Sequence, residues 1–149
     1  MKVRHHYRRS HKGVCALLIT LLLLFHHTNI SSADRKFYPI NRLDLDKIIS
    51  MHHPNTRLVK AIITVESQWN YLAESSRGAI GLMQVLPSSG KIYTGFSREE
   101  LFCPEKNIIA GTTILKHYQR TSSTLHMALI KYSGGAKGFY GKVMREMKI

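Results

Sequence analysis

The segment NTRLVKAIITVESQWN, residues 55–70, sets one carboxyl among apolar side chains. Wound as an α-helix, it gathers Leu58, Val59, Ile62, Ile63, Val65 and Trp69 on one arc, and Glu66 falls inside that arc, between Ile62 and Val59. Arg57, Lys60, Thr64, Ser67 and Gln68 take the opposite side. Burial beside apolar groups disfavours the charged form of Glu66, and a place in the last turn sets it near the negative end of the helix dipole. Both effects hold the acid protonated toward neutral pH, as a general acid requires. The alternative is a Glu at the margin of the face whose carboxylate reaches water or a structural partner. A second run, SSRGAIGLMQ at 75–84, follows in sequence. Gly78 and Gly81 there permit unusual dihedrals or close approach to a ligand, and Gln84 offers the donor and acceptor that suit an amide-bearing substrate. A structural loop with a solvated Gln is the alternative.

The elements that must position these residues read as helices. Asp44–Met51 forms a short helix, entered through Asn41 or Asp44 and stopped before Pro54. Asn55 or Thr56 caps the helix that carries Glu66, which runs to about Trp69. Residues 71–84 read as a loop with a possible short hairpin. Pro87 opens another short helix ending near Gly90 or Gly95, and Ser97 with Glu100 makes a capping box. Pro104 starts a helix reaching Arg120, whose face is Ile108, Gly111, Ile114, Leu115 and Tyr118. Gly111 on that face costs about 1 kcal/mol in helix propensity, so it marks close approach by a neighbouring helix. Thr124–Tyr132 is the next helix, closed by Gly134-Gly135, and Phe139–Met147 is the last. The expectation is a mainly α, compact helical domain.

The whole chain has 149 residues and a formal net charge of +13. One domain fits that length, and a hydrophobic fraction of 44% excludes a disordered chain. The charge invites a nucleic-acid reading until its placement is considered. Residues 1–12 hold five basic side chains and no acid, Val14–Phe25 is an apolar run, and Ser31 and Ala33 stand as a small-x-small cleavage site. That is a secretory signal over residues 1–33, with an uncleaved inner-membrane anchor as the alternative. Its removal leaves Asp34–Ile149 with 17 basic against 9 acidic residues, a charge of +8. The exported remainder holds one cysteine, Cys103, so no intrachain disulfide forms, and a lone Cys is expected to be buried and inert. His52, His53, His117 and His126 lack metal-ligand spacing, so no metal or cofactor is expected.

Glu66-Ser67-Gln68-Trp69-Asn70, Ser75, Gly78-Ala79-Ile80-Gly81-Leu82-Met83-Gln84 and Tyr132 before Gly134 resemble the motifs of the SLT-type lytic transglycosylases. The resemblance covers roughly Leu58 to Val143 without gaps between Glu66 and Gln84. It implies a goose-lysozyme-like (α+β lysozyme-like) fold, with a short loop or small hairpin beside the catalytic helix. It also implies cleavage of peptidoglycan strands in the periplasm. Glu66 would protonate the glycosidic oxygen between N-acetylmuramic acid and N-acetylglucosamine, then take the proton of the muramic 6-hydroxyl as it attacks C1, leaving a 1,6-anhydro end. Ser75 would orient the muramic residue, Met83 and Gln84 would line the sugar site, and Tyr132 would hydrogen-bond the Glu66 carboxyl. Most glycosidases use two carboxylates because a nucleophile or water must reach the far face of the sugar; an attacking hydroxyl within the substrate removes that need. Glu74 is the only near candidate for a second acid and reads as solvated.

Two departures from the family pattern stand out. Lys131-Tyr132-Ser133 replaces the usual Ala-Tyr-Asn, and Cys103 replaces an acid before Pro104. A goose-type lysozyme-like hydrolase and an inactive wall-binding accessory protein are the competing readings. The export signal argues against nucleic acid as partner and limits membrane contact to residues 1–33. By analogy, small members of the family accompany wall-spanning secretion, conjugation or pilus machines.

Overall fold

The computed structural model describes residues 41–148. The signal expected over residues 1–33 lies outside them. Six α-helices follow in order: α1 (Arg42–His52), α2 (Thr56–Ser67), α3 (Pro87–Thr94), α4 (Pro104–Arg120), α5 (Leu125–Tyr132) and α6 (Phe139–Glu146). A 3-10 turn, Glu100–Phe102, precedes α4. The described residues contain no strand, and no helix among them is long and apolar enough to cross a membrane. The mainly helical expectation therefore holds.

Local chemistry sets the boundaries. Asn55 Oδ1 accepts the Leu58 N–H at 2.9 Å and starts α2. Thr124 does the same for α5 through Met127 N–H. The capping box is reciprocal: Ser97 N–H donates to Glu100 Oε2 at 2.8 Å and Glu100 N–H to Ser97 Oγ at 3.3 Å. The end of α2 differs from expectation. The helix stops at Ser67, and Gln68 and Trp69 both take left-handed backbone, with φ of 51° and 67°. The chain turns sharply there, leaving Glu66 one residue from the helix end, and Trp69 Nε1 folds back to Thr64 Oγ1 at 3.0 Å.

α4 is the hub: α1, α3, α5 and the 3-10 turn all pack on it, while α6 lies on α2 and α5. The core joins Leu58, Ile62 and Ile63 of α2 to Ile108 and Leu115 of α4 and Leu129 of α5. Ile80, Leu82 and Met83 complete it, although they belong to the segment between α2 and α3. That segment holds two isolated antiparallel bridges, Glu74↔Ile80 and Ile80↔Val85, the remnant of the expected hairpin. A buried loop must satisfy its own backbone polar groups, and the means by which it does so shapes the site.

Two further expectations are corrected. Gly111 is approached by the Met83 side chain rather than by a helix; a Cβ there would lie 2.5 Å from Met83 Sδ. Cys103 is exposed, not buried, because it stands at the outer entry to α4.

Candidate active site

A cleft of about 330 Å³ opens between the end of α2, the 75–86 segment, α4 and the α5–α6 turn. Glu66, Ser75, Gln84 and Tyr132 line it together, four of the five residues singled out from sequence. Met83 does not. Its side chain is fully buried against Gly111, so it supports the cleft from beneath and does not face a ligand.

Glu66 is half-buried at the cleft floor, and burial alone pushes its pKa from 4.5 up to about 7. Among the described residues no ion pair or hydrogen bond ties its carboxyl, and no cation offsets the burial. Glu74 supplies no second acid: it pairs with Arg98 and lies outside the cleft. The cleft therefore offers one carboxyl that is near half-protonated at neutral pH.

Ser75 anchors a turn. Its Oγ accepts the Ala79 N–H at 3.0 Å, its own N–H donates to the Ala79 carbonyl at 2.9 Å, and its hydroxyl proton is left to face the cleft. Gln84 sits on left-handed backbone at φ 48°. Its Nε2 donates to the carbonyls of Gly81 at 3.0 Å and Ala73 at 3.3 Å, so Oε1 is the end left for a ligand donor. The Tyr132 hydroxyl donates to the Met83 carbonyl at 2.8 Å rather than to Glu66. Burial, then the neighbouring Glu66 charge, raise the Tyr132 pKa well above the usual tyrosine value.

Three helices thus hold the backbone of residues 80–83. Ser67 Oγ of α2 donates to the Leu82 carbonyl at 2.8 Å. Tyr132 of α5 takes the Met83 carbonyl. Asn107 of α4, buried, accepts the Met83 N–H at 2.8 Å and donates to the Ile80 and Leu101 carbonyls, both at 2.8 Å. Gly81 has φ 75°, and a Cβ there would lie 2.3 Å from Asn107 Nδ2, so both the dihedral and the clamp require glycine. Sequence reading missed Asn107; the available signal was a polar residue one turn before Gly111 on the inner side of α4. Ser67, assigned to the polar side of α2, in fact faces the loop.

Comparison with known proteins places this geometry. The family model described as "Transglycosylase SLT domain" matches residues 46–147. The chain belongs to the transglycosylase SLT domain family. A relative named "Membrane-bound lytic murein transglycosylase C" from Actinobacillus succinogenes is 31% identical across 93% of this chain and 40% of its own length. Another of that name, from Edwardsiella ictaluri, is 39% identical across 59% of this chain and 28% of its own. The "Transglycosylase" of Enterobacteria phage PRD1 is 28% identical across 67% of this chain and 40% of its own. The chain thus spans well under two thirds of the length of these relatives. Among solved structures, the 70 kDa soluble lytic transglycosylase SLT70 from Escherichia coli superposes with a TM-score of 0.55 at 29% identity, over 74% of this chain and 19% of that one.

Within the SLT pattern, the departure at Ser133 is structural. Its Oγ donates to the Ile130 carbonyl at 3.1 Å and accepts the Ala136 N–H at 3.2 Å, so it staples the α5–α6 turn beside the cleft. His53 is likewise structural. His53 accepts the Asn55 N–H on Nδ1, which leaves Nε2–H to donate to Gln119 Oε1 at 3.1 Å. The described residues hold no cluster of His, Cys, Asp and Glu suited to a metal.

Proposed function

We propose that this chain is a peptidoglycan lytic transglycosylase, with Glu66 as its single catalytic acid and base. The observation that carries the reading is the lone Glu66 carboxyl in the cleft, held near pKa 7 by burial that no cation offsets. The names of the relatives support the substrate. The proton of Glu66 passes to the glycosidic oxygen as its bond to muramic C1 breaks. The 6-hydroxyl of the same muramic residue then bonds to C1, and its proton returns to the Glu66 carboxylate. The products are a free 4-hydroxyl on N-acetylglucosamine and a 1,6-anhydro end, with no water consumed. One group serves in both steps because its pKa lies near the working pH. Ser75 donates its free hydroxyl proton to the muramic residue, and Gln84 Oε1 accepts from a substrate N–H or hydroxyl. Tyr132 acts as a positioning residue through the Met83 carbonyl. Met83 positions the site from below and makes no sugar contact. The work is done outside the inner membrane, after export by residues 1–33, beside a wall-spanning secretion, conjugation or pilus machine.

Mass spectrometry of muropeptides released by the purified protein tests this. Anhydro ends are expected, one water lighter than hydrolysis products, and Glu66→Gln is expected to lower release at least a thousandfold, by about 4 kcal/mol of barrier, with the fold retained. Reducing ends alone would assign a hydrolase instead, and full activity in Glu66→Gln would remove the catalytic role.

A further inference from the structure

The charges of the cleft do not balance. Its lining holds one carboxyl, Glu66, and two cations, Arg77 and Lys131. Neither cation contributes to the shift of Glu66, so neither is placed to serve that acid. Among the described residues the ion pairs are Lys60–Asp46, Arg98–Glu74 and Lys106–Glu100, and none uses the cleft cations.

Both cations are held by well-defined backbone. Arg77 sits in a turn closed by Gly78 N–H to the Ser75 carbonyl at 2.8 Å, inside the Ser75–Ala79 pairing. Lys131 stands on the last turn of α5, where Nζ donates to the Thr121 carbonyl at 3.0 Å and keeps two further N–H donors. Lys131 is also where this chain departs from the alanine of the SLT pattern, so its charge is not a shared requirement of the scaffold. Both side chains are exposed, so an incoming anion meets them without a buried charge to desolvate.

We infer that Arg77 and Lys131 bind carboxylates carried on the 3-O-lactyl arm of a muramic residue in the cleft. This inference rests on the peptidoglycan reading and names the substrate feature that sets its register. Along an alternating strand, the muramic residue alone carries an acid. In peptide-bearing strands the carboxylates belong to the stem peptide; in peptide-free strands the lactyl acid itself is exposed. Cations at the cleft wall draw that residue, and with it the attacking 6-hydroxyl, toward Glu66 and reject the neutral neighbour.

The test is calorimetry on the full chain carrying Glu66→Gln, so that turnover does not enter. The probes are three tetrasaccharides: peptide-bearing, peptide-free with the free lactyl acid, and peptide-free with that acid converted to its neutral amide. Charged strands are expected to bind about 5-fold tighter than the neutral one, the weight of an exposed ion pair. Adding Arg77→Gln or Lys131→Gln is expected to move that ratio toward one, as is raising salt from about 50 to about 300 mM, while Lys131→Arg keeps it. An advantage confined to the peptide-bearing strand assigns the stem carboxylates; one confined to the peptide-free acid assigns the lactyl carboxylate; an advantage in both shows that the cations take either. Equal affinity for charged and neutral strands, no binding of any strand, or a ratio unmoved by the substitutions would overturn the inference. Absence of anhydro ends from the products of the unsubstituted protein, with the binding ratio intact, would sink the catalytic reading alone.

Discussion

Tyr132 has one proton to give, and the Met83 carbonyl takes it at 2.8 Å. Any bond between Tyr132 and Glu66 must therefore run the other way, with a protonated Glu66 donating to the phenol oxygen. Burial favours the acid in its protonated form and lifts its pKa to about 7. The rate follows from this. The first step needs the proton on Glu66, so kcat/KM is expected to hold level at acidic pH and to fall about tenfold per unit once pH passes about 7. Initial rates of anhydro-end release between about pH 5 and pH 9 check it. A decline that begins near 4.5, the ordinary value for a glutamate, would show that burial does not set the working pKa.

The 80–83 segment works as an element although it is neither helix nor strand. Its side chains fill the core, and its backbone is met by Ser67, Asn107 and Tyr132 from three helices. Asn107 carries the largest share, with three bonds to backbone groups. Asn107→Ala leaves the Met83 N–H and the Leu101 carbonyl unpaired in the interior, while the Ile80 carbonyl keeps the Val85 N–H at 2.9 Å, an expected cost of about 2–4 kcal/mol. Urea unfolding with an unchanged slope is the measurement, and a loss below about 1 kcal/mol would mean that water replaces the amide. This element also marks how far sequence reads the molecule. The helices were legible because capping and periodicity are local, as at Asn55, Ser97, Pro104 and Thr124. The inward face of Glu66 was legible for the same reason. Asn107 was not, because periodicity counts apolar residues and a buried amide leaves no trace in that count. Ser67 was assigned to solvent because nothing local tells that a loop will cover it. The family resemblance implies a sugar contact for Met83; only the packed structure shows it filling the space beside Gly111.

At the scale of the whole molecule, the candidate site opposes folding at alkaline pH. Glu66 has a higher pKa in the folded state than the 4.5 of an exposed glutamate. The folded state therefore holds its proton more tightly than the unfolded chain. The stability associated with that proton is fully present below pH 4.5 and is lost as pH rises through about 7. A shift from 4.5 to about 7 corresponds to at most about 3 kcal/mol, less in an open cleft where solvent screens the charge. Against a total of about 5–15 kcal/mol for a domain, that is a sizeable share spent on an acid that must stay protonated. Glu66→Gln keeps the shape and removes the titration. The variant is expected to match the parent near pH 5 and to exceed it by about 1–3 kcal/mol near pH 8.5, with the gap opening between those values. Subtracting the two proteins cancels the groups that do not feel Glu66, and Tyr132, which does, stays protonated across that range because its pKa lies well above the usual tyrosine value. A difference that stays flat across that range, read from urea midpoints at matched salt, would place Glu66 in solvent and remove the physical basis of the proposed acid.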